Sequence, residues 1–320
     1  MEERKRLAAV LGPTATGKTA LAVAIARKYN GEVVSADSMQ IYKGMDIASA
    51  KPTEEEKGGI PHHLMDFLDP SEEFSVSDYV RMASDAIDDI ISRGKLPVLC
   101  GGSGLYVRSL INNISFTDEE KNEQLRRELN ERFQNEGGEA LLKELSVFDP
   151  ESAARLDANN GKRIIRAIEI YRTTGITMTE QIERSRRVPS PYEVTAIGLT
   201  FADRKNLYER INRRVDRMLE RGLVDEAREF YAEKKSLTAS AAIGYKELSP
   251  YLEGRMSLDA AVEKLKMETR RYAKRQLTWF KRDEYIHWIE LDRCEDLYAE
   301  AEGILGRGGL LWTSQSLSER

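Results

Sequence analysis

Cysteine and histidine are scarce in this chain. Two cysteines and three histidines in 320 residues exclude a disulfide-framed scaffold and leave little material for a zinc centre. His62 and His63 are adjacent, so their side chains cannot share a helical face as a metal-binding i, i+4 pair would. Cys100 closes the apolar run Leu-Pro-Val-Leu-Cys and is expected to be a buried free thiol. Proline numbers only nine, which, with 41% hydrophobic and 32% charged residues, excludes collagen-like and wholly disordered chains. No apolar run approaches the roughly 20 residues of a membrane span, so no membrane association is expected. The start, MEERKRLAAVLGPT, is charged, but its apolar stretch ends after about five residues, short of a secretory signal. A cytoplasmic monomer is the expectation. The length suits one large domain or two ordinary ones.

An excess of positive charge is also absent: the net charge is −5. That sum hides segregation. Residues 1–117 carry 13 basic and 16 acidic side chains, whereas 162–187 carry 7 and 3, and 263–282 carry 8 and 2. The final stretch, 283–320, turns acidic again, with 3 basic and 9 acidic. Basic helical segments inside an acidic protein are compatible with solvated faces and with a local channel for a polyanion, because phosphate attraction depends on local charge.

The opening reads as strand, glycine-bearing loop and helix. Leu7–Leu11 is an apolar run of strand length, and after the loop Ala20, Leu21, Val23, Ala24, Ile25 and Ala26 form a helix apolar on most sides. Further strands are predicted at Glu32–Ser35 and Leu96–Cys100. Helices are predicted over Ser77–Ser92, with Val80, Ala83, Ile87 and Ile90 or Ile91 on one face, and over Leu105–Ile111. Alternating strands and helices predict an α/β fold, a parallel sheet flanked by helices. After Phe116 the strand signal largely stops. Leu125, Leu129 and Phe133, then Ile164, Ile165, Ile168 and Ile170, recur at helical intervals until Pro189 and Pro191. A strand returns at Val194–Thr200, followed by long helices at 203–222, 223–235 and 257–281. The expected organisation is a core of 1–117 and 191–320, with a helical C-terminal part, interrupted by an all-helical insertion at 118–190.

The loop decides the class of chemistry. Gly12-Pro13-Thr14-Ala15-Thr16-Gly17-Lys18-Thr19 has the spacing of a phosphate-binding loop, with a strand before it and a helix after it. Its glycines free the backbone to wrap an anion at a helix N-terminus, where the dipole favours negative charge. Lys18 adds a cation and Thr19 a hydroxyl placed for Mg²⁺. A di- or triphosphate ligand follows; its identity does not. Asp37, just beyond the second strand, is positioned to steer a metal or accept a proton, or simply to cap a turn. No apolar strand ends in an aspartate of the kind that holds the metal in nucleotidases. The turn at Gly101–Gly104 is either a second binding turn or a plain connection. Tyr272, Trp279, Phe280 and Trp288 lie near the basic 263–282 segment, as core packing or as base-stacking surfaces. At this point a small-molecule kinase and an RNA-binding switch both remain open.

In GPTATGKT (12–19), SADSMQIYKGMDIASAKP (35–52), IPHHLMDFLDP (60–70), GGSGLYVRSL (101–110), KRIIRAIEIY (162–171), RINRRVDRMLERGL (210–223), AAIGYKEL (241–248) and RRYAKRQLTWFKRD (270–283), the chain strongly resembles the bacterial tRNA dimethylallyltransferases, also called tRNA isopentenyltransferases. Departures are small: Ala48-Ser49 stands where Gly-Thr is expected, and Ser103 where threonine is usual. The resemblance implies a P-loop fold and transfer of a dimethylallyl group from its diphosphate to N6 of the adenosine 3′ of the anticodon. It implies that Gly12, Pro13, Thr14, Ala15, Thr16, Gly17, Lys18 and Thr19 hold the diphosphate, with Arg214 closing over it and Mg²⁺ on Thr19. Asp37 would be the general base. Asp37, Ser38, Met39, Gln40 and Ser103 would contact the reacting nucleotide. Lys162, Arg163, Ile164, Ile165 and Arg166 of the insertion would meet the anticodon stem-loop. Which of Arg210, Arg214 and Arg217 faces the diphosphate is left to the structure.

Overall fold

The computed structural model describes residues 4–114, 122–232, 237–240 and 242–309. It divides into two compact units, Met1–Ile111 with Pro191–Arg320, and Asn112–Ser190. The expected insertion began six residues later, at 118; residues 115–121, including Phe116, lie outside the described ones.

The larger unit is built on a six-stranded sheet of order β3-β2-β4-β1-β5-β6, with every pairing parallel. Its strands are β1 (Lys5–Leu11), β2 (Gly31–Ala36), β3 (His62–His63), β4 (Leu96–Gly101), β5 (Tyr192–Thr200) and β6 (Ile286–Glu290). Central β1 shows why the sequence reads as a continuous apolar run. Leu7, Ala9 and Leu11 point to one face, against Ile87 and Ile90 of the helix Val76–Ser92, Leu110 and Phe280. Ala8 and Val10 point to the other, against Leu21, Ala22 and Ile25 of the helix Lys18–Lys28 and Ile304 and Leu305 of the helix Leu297–Arg307. A strand covered on both sides needs apolar residues at every position. In the helix Val76–Ser92, Tyr79 takes the buried place expected for Val80 and stacks on Tyr106 with ring centroids 4.0 Å apart.

Sequence reasoning passed over β3 and β6. The first has two residues; the second buries only Ile286 and Ile289, too sparse for an apolar run. His63 serves β3 by placing Nε2 2.7 Å from Glu32. A third core lies under the loop after β2: Ile41, Tyr42 and Met45 pack against Val215, Met218, Leu223, Phe230, Tyr245, Leu248 and Leu265 of the C-terminal helices.

The smaller unit is all-helical among its described residues. Its core joins Leu129, Leu141, Leu145, Ile164, Ile165 and Ile168, with Phe148 stacked on Tyr171 at 3.9 Å. No helix among the described residues is long and apolar enough to cross a membrane.

Candidate functional site

The carboxyl ends of β1, β2 and β4 deliver three loops to one edge of the sheet, the position where parallel sheets bind ligands. The loop after β1 begins at Gly12, with φ +137°. A Cβ there would stand 2.5 Å from the Leu199 carbonyl of β5, so glycine is required on both counts. Thr16 Oγ1 donates to the Pro13 carbonyl at 2.9 Å, and Lys18 Nζ donates to the same oxygen at 2.7 Å. Burial pulls the Lys18 pKa down to about 8; nearby Cys100 and Asp37 oppose this and Arg214 adds to it. The ammonium is thus folded against its own loop, ready to exchange a carbonyl for an anion.

A cavity of about 300 Å³ opens in front of the loop, lined on that side by Thr14, Lys18 and Thr19. Asp37 lines it from the end of β2, and its Oδ1 accepts the Met39 N–H at 2.9 Å, which fixes the turn. Among the described residues that line the cavity, Asp37 alone is acidic. β4, the immediate neighbour of β1, brings Cys100, where a nucleotidase would bring a metal-binding carboxylate. Burial pushes the Cys100 thiol up to about 11, with Lys18 opposing, which leaves it neutral and inert.

Of Arg210, Arg214 and Arg217 on the helix Arg204–Glu220, Arg214 lines the cavity. Burial lowers its pKa and Asp37 opposes that shift. Arg210 faces the loop from outside, donating from Nε to the Ala15 carbonyl at 3.0 Å while lying over the Phe201 ring. Arg217 lines a separate exposed groove with Arg210 and Arg213. Ser38, Met39 and Gln40 all line the cavity. Ser103 Oγ accepts the Ser38 N–H at 2.9 Å, which ties the turn after β4 to the Asp37 turn. Gln40 is largely occupied within its own loop: Nε2 donates to the Ser49 and Ala50 carbonyls at 3.4 and 3.3 Å, and Oε1 accepts from Ser35.

Apart from Tyr272, the far wall comes from residues that the sequence did not single out. Leu265, Thr269, Tyr272 and Gln276 form one stripe of the helix Leu258–Phe280, and Met218, Ala242 and Ile243 complete it. The legible signal was present: buried polar residues in register with an apolar stripe. Net charge obscured it, because the segment reads first as a basic helix. Tyr272, read with the aromatics, belongs to the cavity; burial and then Asp37 raise its pKa. Phe280 is core, and Trp279 and Trp288 pack against that core.

The expected insertion contacts are divided. Lys162 and Arg163 are exposed on the helix Gly161–Thr174. Arg166 shares the buried Glu169 with Arg126, at 3.0 and 2.8 Å. Ile164 and Ile165 are 0% and 5% exposed in the insertion core, so their side chains leave the list of RNA contacts. The i, i+1 spacing that placed them beside the basic residues puts them on the opposite, apolar side of the helix.

Among the described residues no group of three or more His, Cys, Asp or Glu side chains could hold a metal unaided. One hydroxyl, Thr19, and one carboxylate, Asp37, suit Mg²⁺, which takes few protein ligands and completes its shell with water and substrate phosphates.

Comparison with known proteins gives this site a context. A family model described as IPP transferase matches residues 40–283. The tRNA dimethylallyltransferase of Halalkalibacterium halodurans is 48% identical over 289 residues, 90% of this chain and 92% of that protein. That of Acetivibrio thermocellus is 50% identical over 288 residues, 89% and 92% respectively. Among solved structures, the full-length tRNA isopentenylpyrophosphate transferase from Bacillus halodurans superposes with a TM-score of 0.71 at 43% identity, covering 99% of this chain and 100% of that one. A eukaryotic dimethylallyltransferase, captured acting on tRNA, gives 0.79 at 30% identity, covering 94% and 78%. With the loop, the lone cavity carboxylate and matches of this extent, the chain belongs to the IPP transferase family of prenyl-transferring enzymes.

Proposed function

We propose that this protein transfers a dimethylallyl group from dimethylallyl diphosphate to N6 of the adenosine 3′-adjacent to the anticodon of tRNA, releasing diphosphate. The observation that carries the reading is the pairing, in one cavity, of an anion cradle with a single carboxylate: Lys18, Thr19 and Arg214 line it together with Asp37. An adenine amine is a weak nucleophile because its lone pair is delocalised into the ring. It becomes acidic only as the N6–C1 bond forms, so Asp37 accepts the proton late, as that bond is made. As the C1–O bond breaks, charge grows on the diphosphate, where the loop N–H groups, Lys18 and Arg214 meet it; losing one such donor costs about 100–1,000-fold in rate. Mg²⁺ on Thr19, when bound, would neutralise the same leaving group. The target base has to leave its stack, at roughly a few kcal/mol, less in an anticodon loop than in a duplex. Exposed Lys162 and Arg163 are the insertion's phosphate contacts in this reading.

Support comes from the names and extent of the relatives together with Cys100 in place of a nucleotidase carboxylate. The test is transfer of label from dimethylallyl diphosphate to an unmodified tRNA transcript, with Mg²⁺ and without ATP. Label on the adenosine beside the anticodon is expected. Turnover of ATP with no prenyl transfer would overturn the assignment in favour of a kinase.

A further inference from the structure

Gln276 is 5% exposed, one turn from the C-terminal end of the helix Leu258–Phe280, and lines the site. A buried primary amide has to place an acceptor and two donors, and its partners report what it holds in place. Oε1 accepts the Thr14 N–H of the phosphate loop at 2.9 Å, and Nε2 donates to the Gly102 carbonyl of the turn after β4 at 3.0 Å. Tyr272, one helical turn before Gln276, lines the same cavity, and Ser103 holds the Ser38 N–H beside Asp37. One amide therefore touches the loop that would grip the diphosphate and the turn that borders the acceptor side. The fit is close, since a Cβ on Gly102 would stand 2.2 Å from Gln276 Nε2. The bond to Thr14 also spends an N–H of the cradle on the protein, fixing the orientation of the Pro13–Thr14 peptide, whose carbonyl side receives Lys18 and Thr16.

We infer that Gln276 is a positioning residue for the leaving group: its amide pins the phosphate loop to the turn after β4 in the geometry that receives diphosphate. This rests on the reading that the loop binds a prenyl diphosphate.

The experiment measures inhibition by inorganic diphosphate, KM for dimethylallyl diphosphate, KM for tRNA and thermal midpoint, in the full chain. Gln276→Met keeps length and volume and removes both hydrogen bonds. It is expected to weaken diphosphate inhibition and to raise KM for the prenyl donor by about tenfold, the effect of losing one well-placed bond. KM for tRNA should stay within about twofold. Gln276→Glu separates the two bonds. Ionised, it still accepts from Thr14 but repels the Gly102 carbonyl; protonated, it does both. Because burial raises a carboxyl pKa, the Glu variant should recover relative to the parent as pH falls from about 8 to about 6. A residue that serves stability alone would lower the midpoint and leave the donor KM unmoved. Unchanged diphosphate inhibition in Gln276→Met, or a pH-independent defect in Gln276→Glu, would overturn the inference, and the second arm holds even if the Met variant fails to fold. If diphosphate fails to inhibit the parent protein, it is the underlying reading of the loop that falls.

Discussion

In the proposed function two side chains carry most of the chemistry at the residue scale, and each makes a prediction. Asp37 is the acid of the cavity, so Asp37→Ala should lower prenyl transfer by about 100–10,000-fold, the usual worth of a positioned base. RNA affinity should largely survive, as measured by filter binding; joint loss of both would mark Asp37 as structural, since its Oδ1 also holds the Met39 N–H. Lys18 predicts a pH dependence. With its pKa near 8, the free protein loses this cation as pH rises through that value. In the proposed function, affinity for inorganic diphosphate should therefore fall as pH rises through about 8, and a flat inhibition profile between about pH 7 and 9.5 would refute the assignment. The folding linkage has the opposite slope. The unfolded chain holds this proton up to about 10.4, so unfolding takes up a proton between the two values and the penalty for burying the ammonium, complete below pH 8, fades as pH rises. Lys18 and Asp37 were legible in the sequence because a loop motif and a strand end are local patterns. Gln276 was not, because its role is set by a partner 262 positions away.

At the scale of elements, the loop after β2 depends on a helix far along the chain. Glu226, in the helix Leu223–Ala232, accepts the N–H groups of Asp46, Ile47 and Ala48 at 3.0, 2.7 and 2.9 Å, and the Tyr245 hydroxyl at 2.7 Å. No capping or turn rule predicts such a contact, since three successive backbone donors are satisfied by one remote carboxylate. Glu226→Ala should destabilise the fold by about 2–4 kcal/mol, because it strands several donors at once. Urea unfolding measures this, and a loss under about 1 kcal/mol would show that water replaces the carboxylate freely. The same contact explains why the segment 39–48 holds its shape without regular structure: Ile41, Tyr42 and Met45 are anchored below it and Glu226 ties it at the edge. Periodicity found the long elements for a different reason. Apolar residues at every position from Leu7 to Leu11 of β1 and from Leu96 to Cys100 of β4, or at three- and four-residue intervals in the helices, are imposed by burial alone. Two-residue β3 carries no such imprint.

For the whole molecule, acidity and RNA binding are reconciled by where the charge sits. Lys162→Glu with Arg163→Glu reverses two exposed charges of the smaller unit without touching its core. In the proposed function this should raise KM for tRNA by at least about tenfold, reduce the salt dependence of binding by about two phosphate contacts, and leave diphosphate inhibition as it was. An unchanged salt slope would remove these residues from the interface. The larger unit has a consequence for biosynthesis. Its phosphate loop leaves the ribosome well ahead of the helix Leu258–Phe280 that bolts it in place and of β6, which completes the sheet beside β5. A nascent chain thus exposes the motif long before it has the means to grip an anion, and a chain arrested before residue 258 keeps every residue of GPTATGKT with no clamp to order it.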